Sequence, residues 1–214
     1  MSDTTPTFKV ALLGDGGVGK TSLLKRHITG EFEITYTPTV GVEIRPLTFA
    51  TNYGQIRFNI WDIAGQDKFG GLREGYLIQA QAAIIMFDVT SKNSYTRVST
   101  LYDMVRSVCG TELPIVICGN KLDLGGRSVF PEDIVFPKEH GLPYYDISVK
   151  SNLNFAEPFL RLAKSVINRP DLVFVECLAL SFSPADVDPA RFAFYQKELE
   201  EALNQPLPDD DDLQ

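Results

Sequence analysis

The run Gly14-Asp15-Gly16-Gly17-Val18-Gly19-Lys20-Thr21 constrains this chain more than any other feature. It fits G-x-x-x-x-G-K-[ST] and directly follows the apolar stretch 8–13, which reads as a short strand. Glycines at this density let successive backbone N–H groups turn inward, and a helix starting at the lysine adds its positive end. Such a loop cradles phosphates. On this reading the backbone of Asp15, Gly16, Gly17, Val18 and Gly19 surrounds a triphosphate. Lys20 sets a cation against the β- and γ-phosphates, and the Thr21 hydroxyl ligates Mg²⁺.

A phosphate loop needs a sheet to carry it, and the pattern downstream supplies one. Ile56, Phe58 and Ile60 alternate with Arg57, Asn59 and Trp61, the period of a strand with one buried face. Residues 83–89, 113–118 and 144–147 are further apolar or aromatic runs, the first two nearly uninterrupted. Uninterrupted strands separated by helical stretches predict a parallel sheet covered on both faces. The clearest helix spans about 155–167, with Phe155, Phe159, Leu162, Ala163 and Val166 on one face. Asn154 is available to cap it, and Pro170 lies beyond its end. The expectation is a doubly wound α/β domain over residues 8–170, with ligands at the carboxyl ends of its strands.

Around that domain the chain changes character. Residues 1–7 are expected to be disordered, and 171–187 read as a linker. Asp188-Pro189 supplies a cap and a first-turn proline for a helix over 188–204. Phe192, Tyr195, Leu199 and Leu203 give that helix an apolar stripe that needs a partner surface. Residues 205–214 form an acidic tail. The formal charge of the chain is −8, and half of that excess sits in the aspartates of 209–212, which argues against a nucleic-acid-binding surface. No apolar run approaches the length needed to cross a bilayer. The start of the sequence has neither a signal-peptide pattern nor a glycine for myristoylation, and its last residues hold no cysteine to prenylate, so no membrane anchor is expected. Cys109, Cys118 and Cys177 are an odd, widely spaced set, which predicts neither a disulfide framework nor a zinc site and points to a reducing compartment.

The base comes from a second motif. Asn120-Lys121-Leu122-Asp123 follows the strand at 115–118 and fits N-K-x-D. The two oxygens of Asp123 match the N1–H and exocyclic amine of guanine, whereas adenine would leave a carboxylate unpaired there. Asn120 braces the loop, and the stem of Lys121 lies over the ring. Ser148-Val149-Lys150, after the last strand, supplies a second base-side loop in which the Val149 N–H meets the guanine carbonyl. Phe32 is the candidate to stack beside the base.

Hydrolysis and switching fall on Asp62-Ile63-Ala64-Gly65-Gln66 and on Thr39. In this D-x-x-G pattern Asp62 holds Mg²⁺ through water, and the Gly65 N–H bonds the γ-phosphate. Gln66 orients the attacking water, Thr39 ligates Mg²⁺ while the γ-phosphate is present, and Tyr36 lies over the nucleotide. Catalysis by Gln66, Lys20, Thr39 and Gly65 is then positioning and charge stabilisation, without a covalent intermediate. No arginine stands out as a built-in finger, which predicts slow hydrolysis unless an activating protein assists. His27 and His140 read as packing or surface residues.

Taken in order, these motifs resemble the Ras superfamily across residues 8–170. The resemblance is tightest to its nuclear-transport branch, the Ran family, at WDIAGQDKFGGLREGYLIQAQAAIIMFDVTSK (61–92), KRHITGEFE (25–33), YYDIS (144–148) and LPDDDDL (207–213). It implies a six-stranded, mostly parallel sheet with helices on both faces, and it adds Ser22 and Glu33 to the nucleotide contacts. It also implies a monomer that shuttles between nucleus and cytoplasm. The GTP form would bind importin- and exportin-type receptors and Ran-binding proteins. A chromatin-bound exchange factor and a cytosolic GTPase-activating protein would drive the cycle. The sequence departs from that family at Ile63, where threonine is usual, and at Val149, where alanine is usual. Phe136-Pro137-Lys138-Glu139-His140 stands where relatives carry a basic run, which predicts weaker docking of the acidic tail and of acidic partners. Rival readings are a Rab-type trafficking GTPase, a scaffold that holds GTP without hydrolysing it and, more distantly, an ATP-using P-loop enzyme.

Overall fold

Alternation along Gly54–Ile63 buries Ile56, Phe58 and Ile60 and leaves Arg57, Asn59 and Trp61 half-exposed, as their spacing predicts. In the computed structural model, which describes residues 5–32, 38–65 and 70–175, this stretch is one strand of a six-stranded sheet. In chain order the elements are β1 (Thr7–Gly14), α1 (Lys20–Thr29), β2 (Val42–Thr51), β3 (Gly54–Ile63), α2 (Gly70–Leu77) and β4 (Ala82–Asp88). They continue with α3 (Lys92–Cys109), β5 (Ile115–Asn120), α4 (Phe136–Glu139), β6 (Tyr144–Asp146) and α5 (Glu157–Ile167).

The strand order is β2-β3-β1-β4-β5-β6. Every neighbouring pair is parallel except β2 with β3, which form an antiparallel hairpin. In the register of β1, Leu12 faces Asp62 of β3 on one side and Ile84 of β4 on the other. Every residue of β4 is buried, because a central parallel strand is covered on both faces. Val10, Leu12, Leu23, Phe58 and Phe159 belong to the core on the α1/α5 face. Ala11, Leu13, Ile85, Val98 and Leu101 belong to the core on the α2/α3 face. This is the doubly wound, mostly parallel sheet that the sequence predicts.

Two local expectations need correction. Asn154 does not cap α5, whose N-cap is Ala156 without a side-chain bond. Asn154 instead adopts a left-handed φ of 52° and donates its amide to the Asp146 carbonyl at 3.1 Å, so the helix starts later, at Glu157. The stretch after Pro170 also begins as ordered structure. Leu172 is fully buried, Phe174 stacks on Phe49 with ring centroids 4.5 Å apart, and the Val175 N–H donates to the Ala50 carbonyl at 3.0 Å. These residues run antiparallel along the outer edge of β2, a strand whose Pro46 suits an edge position. The chain divides into units Met1–Val175 and Glu176–Gln214. The predicted helix 188–204 and acidic tail lie outside the described residues, as do Glu33, Tyr36 and Gln66.

Candidate functional site

Because β1, β3, β5 and β6 run parallel, the segments after them emerge along one edge of the sheet, and each carries one of the motifs. After β1 the chain turns through Gly19, which takes a φ of 101° open to glycine and lies against the Asn120 side chain where a Cβ would collide. Helix α1 then starts at Lys20 with no side-chain cap and no acidic residue in its first turn, so its free N–H groups face the loop. Lys20 is buried, and its ammonium donates to the carbonyls of Gly14 and Asp15, both at 2.9 Å. The Asp15 carboxylate accepts the Gly16 N–H at 3.0 Å.

Three oxygen-bearing side chains meet beside this loop. The Thr21 hydroxyl donates to Asp62 Oδ2 at 2.5 Å and lies 2.9 Å from the Thr39 hydroxyl. Asp62 is fully buried, and its second oxygen, Oδ1, has no hydrogen-bond partner. Burial raises its carboxyl above the usual carboxylate range, against the pull of the Thr21 hydrogen bond and the Lys20 charge. Two hydroxyls and a buried, half-satisfied carboxylate suit a hard divalent cation such as Mg²⁺. The Ala64 N–H donates to the Gly41 carbonyl at 2.9 Å, which ties the segment carrying Thr39 to the one carrying Gly65. Gly65 itself lies so close to the Asp15–Gly16 backbone that a Cβ there would overlap it.

The side of the site that the sequence predicts to face a base is held by side chains that bridge loops. Asn120 donates to the Val18 carbonyl at 2.8 Å and accepts the Val149 N–H at 3.2 Å, which joins three motifs through one buried amide. The Val149 N–H, expected to face a guanine carbonyl, is thus directed at Asn120 here. The Ser148 hydroxyl donates to Asp123 Oδ1 at 2.6 Å and fixes one of the two acceptor oxygens. Lys121 adopts a φ of 71° and pairs with Asp88 at 2.8 Å. Burial would raise the Asp88 carboxyl, but hydrogen bonds from Lys121 and Thr90 outweigh it and hold it below its usual range.

A cavity of about 540 Å³ runs between these groups. It is lined by Gly16, Gly17, Gly19, Lys20, Thr21, Ser22, Phe32, Thr39, Gly65, Asn120, Lys121, Asp123, Val149 and Lys150. Asp15, Val18, Ser148 and Asp62 stand behind that lining and hold parts of it through the bonds above. Lys25, Pro38, Glu43, Arg45 and Leu124 also line it, and the motifs do not predict them. Arg45 pairs with Glu43 at 2.7 Å. The period of β2 could have found both, since Glu43, Arg45 and the buried Leu47 share one face. Asp88 was also missed, although it ends a strand and is legible as such.

His27 packs against Phe155 and Phe159 at centroid distances of 4.4 and 4.7 Å, and His140 stacks on Phe136 at 4.1 Å. Neither lines the cavity: His27 is a packing residue and the exposed His140 a surface one, as expected. Cys109 and Cys118 are free thiols. A family model described as Ras family matches residues 9–168.

Proposed function

The chain belongs to the Ras family of small GTP-binding switch proteins, and we propose that it is the nuclear-transport kind, a Ran-type GTPase. Members of this family bind GTP and GDP and are generally GTP hydrolases. The observation that carries the switch reading is the convergence of Thr21, Thr39 and Asp62 beside a phosphate loop, with one oxygen of Asp62 left without a partner. Thr21, Thr39 and, through water, Asp62 would hold Mg²⁺, whose charge draws density from the phosphate oxygens.

This chain's own residues do the rest. Lys20 turns its ammonium from the loop carbonyls to the β- and γ-phosphates, and the α1 N-terminus and loop N–H groups accept the remaining charge. Asp123, already oriented by Ser148, reads the guanine edge with its free oxygen and its held one. Thr39 and Gly65 sit on the two segments tied by the Gly41–Ala64 bond, so both sense the γ-phosphate and both lose a partner when it is cleaved. Gln66, outside the described residues, orients the attacking water in this scheme. Hydrolysis is slow alone and stimulated by an activating protein.

The nuclear-transport assignment rests on the resemblance of residues 61–92 and of the 25–33 and 144–148 segments to the Ran family. Its partners would be importin- and exportin-type receptors, Ran-binding proteins, a chromatin-bound exchange factor and a cytosolic activating protein. Pull-down with an importin-β-type receptor tests it. The protein loaded with a non-hydrolysable GTP analogue is retained, and the GDP-loaded protein is not. Equal retention, or retention of neither form, overturns the transport reading and returns the trafficking and scaffold alternatives.

A further inference from the structure

The two loops that face the base are joined by a backbone bond from the Leu122 N–H to the Ile147 carbonyl at 3.3 Å and by side chains at three points, and only two of these side-chain links belong to recognised motifs. At the start of the loops Asn120 accepts the Val149 N–H, and in their middle Ser148 donates to Asp123. The third link lies at their far ends. Arg127 places two guanidinium nitrogens on the two oxygens of Asp146, at 3.1 and 3.0 Å, while its Nε donates to the Val129 carbonyl at 2.6 Å. Asp146 ends β6, directly before Ile147-Ser148, and Arg127 follows the 120–124 loop after Gly125-Gly126. A planar fork on both carboxylate oxygens fixes orientation as well as distance, which a single contact would not.

Asp146 is held from further sides. The Tyr144 hydroxyl donates to its Oδ1, and Asn154 donates to its backbone carbonyl at 3.1 Å. Burial, with the neighbouring carboxylate, keeps the Tyr144 phenol protonated far above neutral pH, so it remains a donor. Ser148 and Leu153 then close the second loop with paired backbone bonds of 3.0 and 3.1 Å. The exit of β6 is thus held to the 120–124 loop by the Leu122–Ile147 backbone bond and the Ser148–Asp123 bond, and Arg127 adds a two-pronged side-chain fork beyond them.

Resting on the guanine-nucleotide reading, we propose that Arg127 is a positioning residue for base recognition: its fork on Asp146 holds Ser148 where it orients Asp123. It touches no nucleotide and acts through the spacing of the two loops. Loss of the fork leaves the Ser148 end of β6 to its backbone bonds alone and loosens it, and Asp123 then meets the base with a broader spread of orientations. Guanine, which offers two donors to that carboxylate, loses more than hypoxanthine, which lacks the exocyclic amine and offers one.

The test measures release of fluorescent GDP, IDP and ADP from the full chain in Mg²⁺, for wild type and variants. Arg127→Ala releases GDP about tenfold faster, the scale of one lost charge-assisted hydrogen bond, and narrows the GDP-to-IDP ratio. Arg127→Lys, which keeps the charge but not the fork, falls between. GDP release within about twofold of wild type, or GDP and IDP accelerated by the same factor as a general loosening would give, overturns the proposal. Should Arg127→Ala not fold, Tyr144→Phe decides by the same criterion: a narrowed GDP-to-IDP ratio supports the clamp, and an unchanged one overturns it. Wild-type protein that fails to prefer GDP over ADP defeats the guanine-nucleotide reading itself. A wild type that prefers GDP beside an unaltered Arg127→Ala defeats the clamp alone.

Discussion

Thr21 donates its hydroxyl hydrogen to Asp62 across 2.5 Å, which joins the first turn of α1 to the end of β3 beside the cavity. The other Asp62 oxygen is buried without a partner, a cost of about 1–3 kcal/mol in an ordinary core. A carboxyl raised above its unfolded value costs stability that grows as pH rises past the unfolded value, is full above the raised one, and is relieved as pH falls between them. Asp62→Asn keeps an acceptor for Thr21 and removes the buried charge. The nucleotide-free variant is therefore expected to melt no lower than wild type at neutral pH, while the Mg²⁺ concentration needed to retain GDP rises by about tenfold or more. Thermal melts and a Mg²⁺ titration of fluorescent GDP release check the two halves separately.

Asn120→Ala strips both partners from buried groups, the Val18 carbonyl and the Val149 N–H. Each orphaned group costs about 1–3 kcal/mol, so if the loosened loops pass that cost to binding, GDP affinity should fall by about thirtyfold or more. Equilibrium binding of GDP to Asn120→Ala and to Asn120→Asp gives the comparison. A loss below about fivefold would mean that the bridge between the loops is not what holds them.

His27 is pushed down to about 4 by burial, against a weaker opposing effect of the hydrogen bond to Leu23. The unfolded chain protonates this ring near its ordinary value of 6.5, and the folded chain does so only near 4. Stability is thus full above pH 6.5 and falls as pH drops from there towards 4, by an amount on the order of 3 kcal/mol. His27→Phe should flatten that slope between the two pH values in urea unfolding series. An unchanged slope would place the titrating group elsewhere.

Leu172 is fully buried although it lies past the proline that closes the predicted domain. Leu172→Ala should lower unfolding free energy by about 2–4 kcal/mol. Urea midpoints of the full chain with GDP in excess report it. A change under about 0.5 kcal/mol would mean that residues 171–175 add nothing to the fold.

Much of this was legible beforehand because the chemistry of phosphate and base imposes local patterns. The glycines of 14–19, the Asn120–Asp123 run and the Asp62–Gly65 run are spaced by backbone geometry within single loops, so sequence order alone reveals them. The alternation of Ile56, Phe58 and Ile60 exposed β3, and the apolar run of β4 exposed a doubly covered strand. Edge strand β2 escaped, because Glu43, Arg45 and Pro46 dilute its apolar face, and with it went the pocket positions of Glu43 and Arg45. Asn154 misled because its local capping chemistry lost to a tertiary bond with Asp146. The Arg127–Asp146 pair spans residues far apart in sequence, and only the pairing of β5 with β6 brings them together.

Asp123→Asn replaces an acceptor with a donor at the position proposed to read the guanine edge. GDP affinity should fall by at least about a hundredfold, and xanthosine diphosphate, which offers a carbonyl there, should gain. Competition between the two diphosphates on the variant measures both. Failure of the preference to move would place base reading on other residues.

The central claim is that this cavity holds a guanine nucleotide, and the most direct measurement is calorimetric titration of stripped full-length protein with GDP and with ADP in Mg²⁺. The account predicts tight GDP binding and ADP binding weaker by about a thousandfold or more. Equal affinities for the two diphosphates would contradict it.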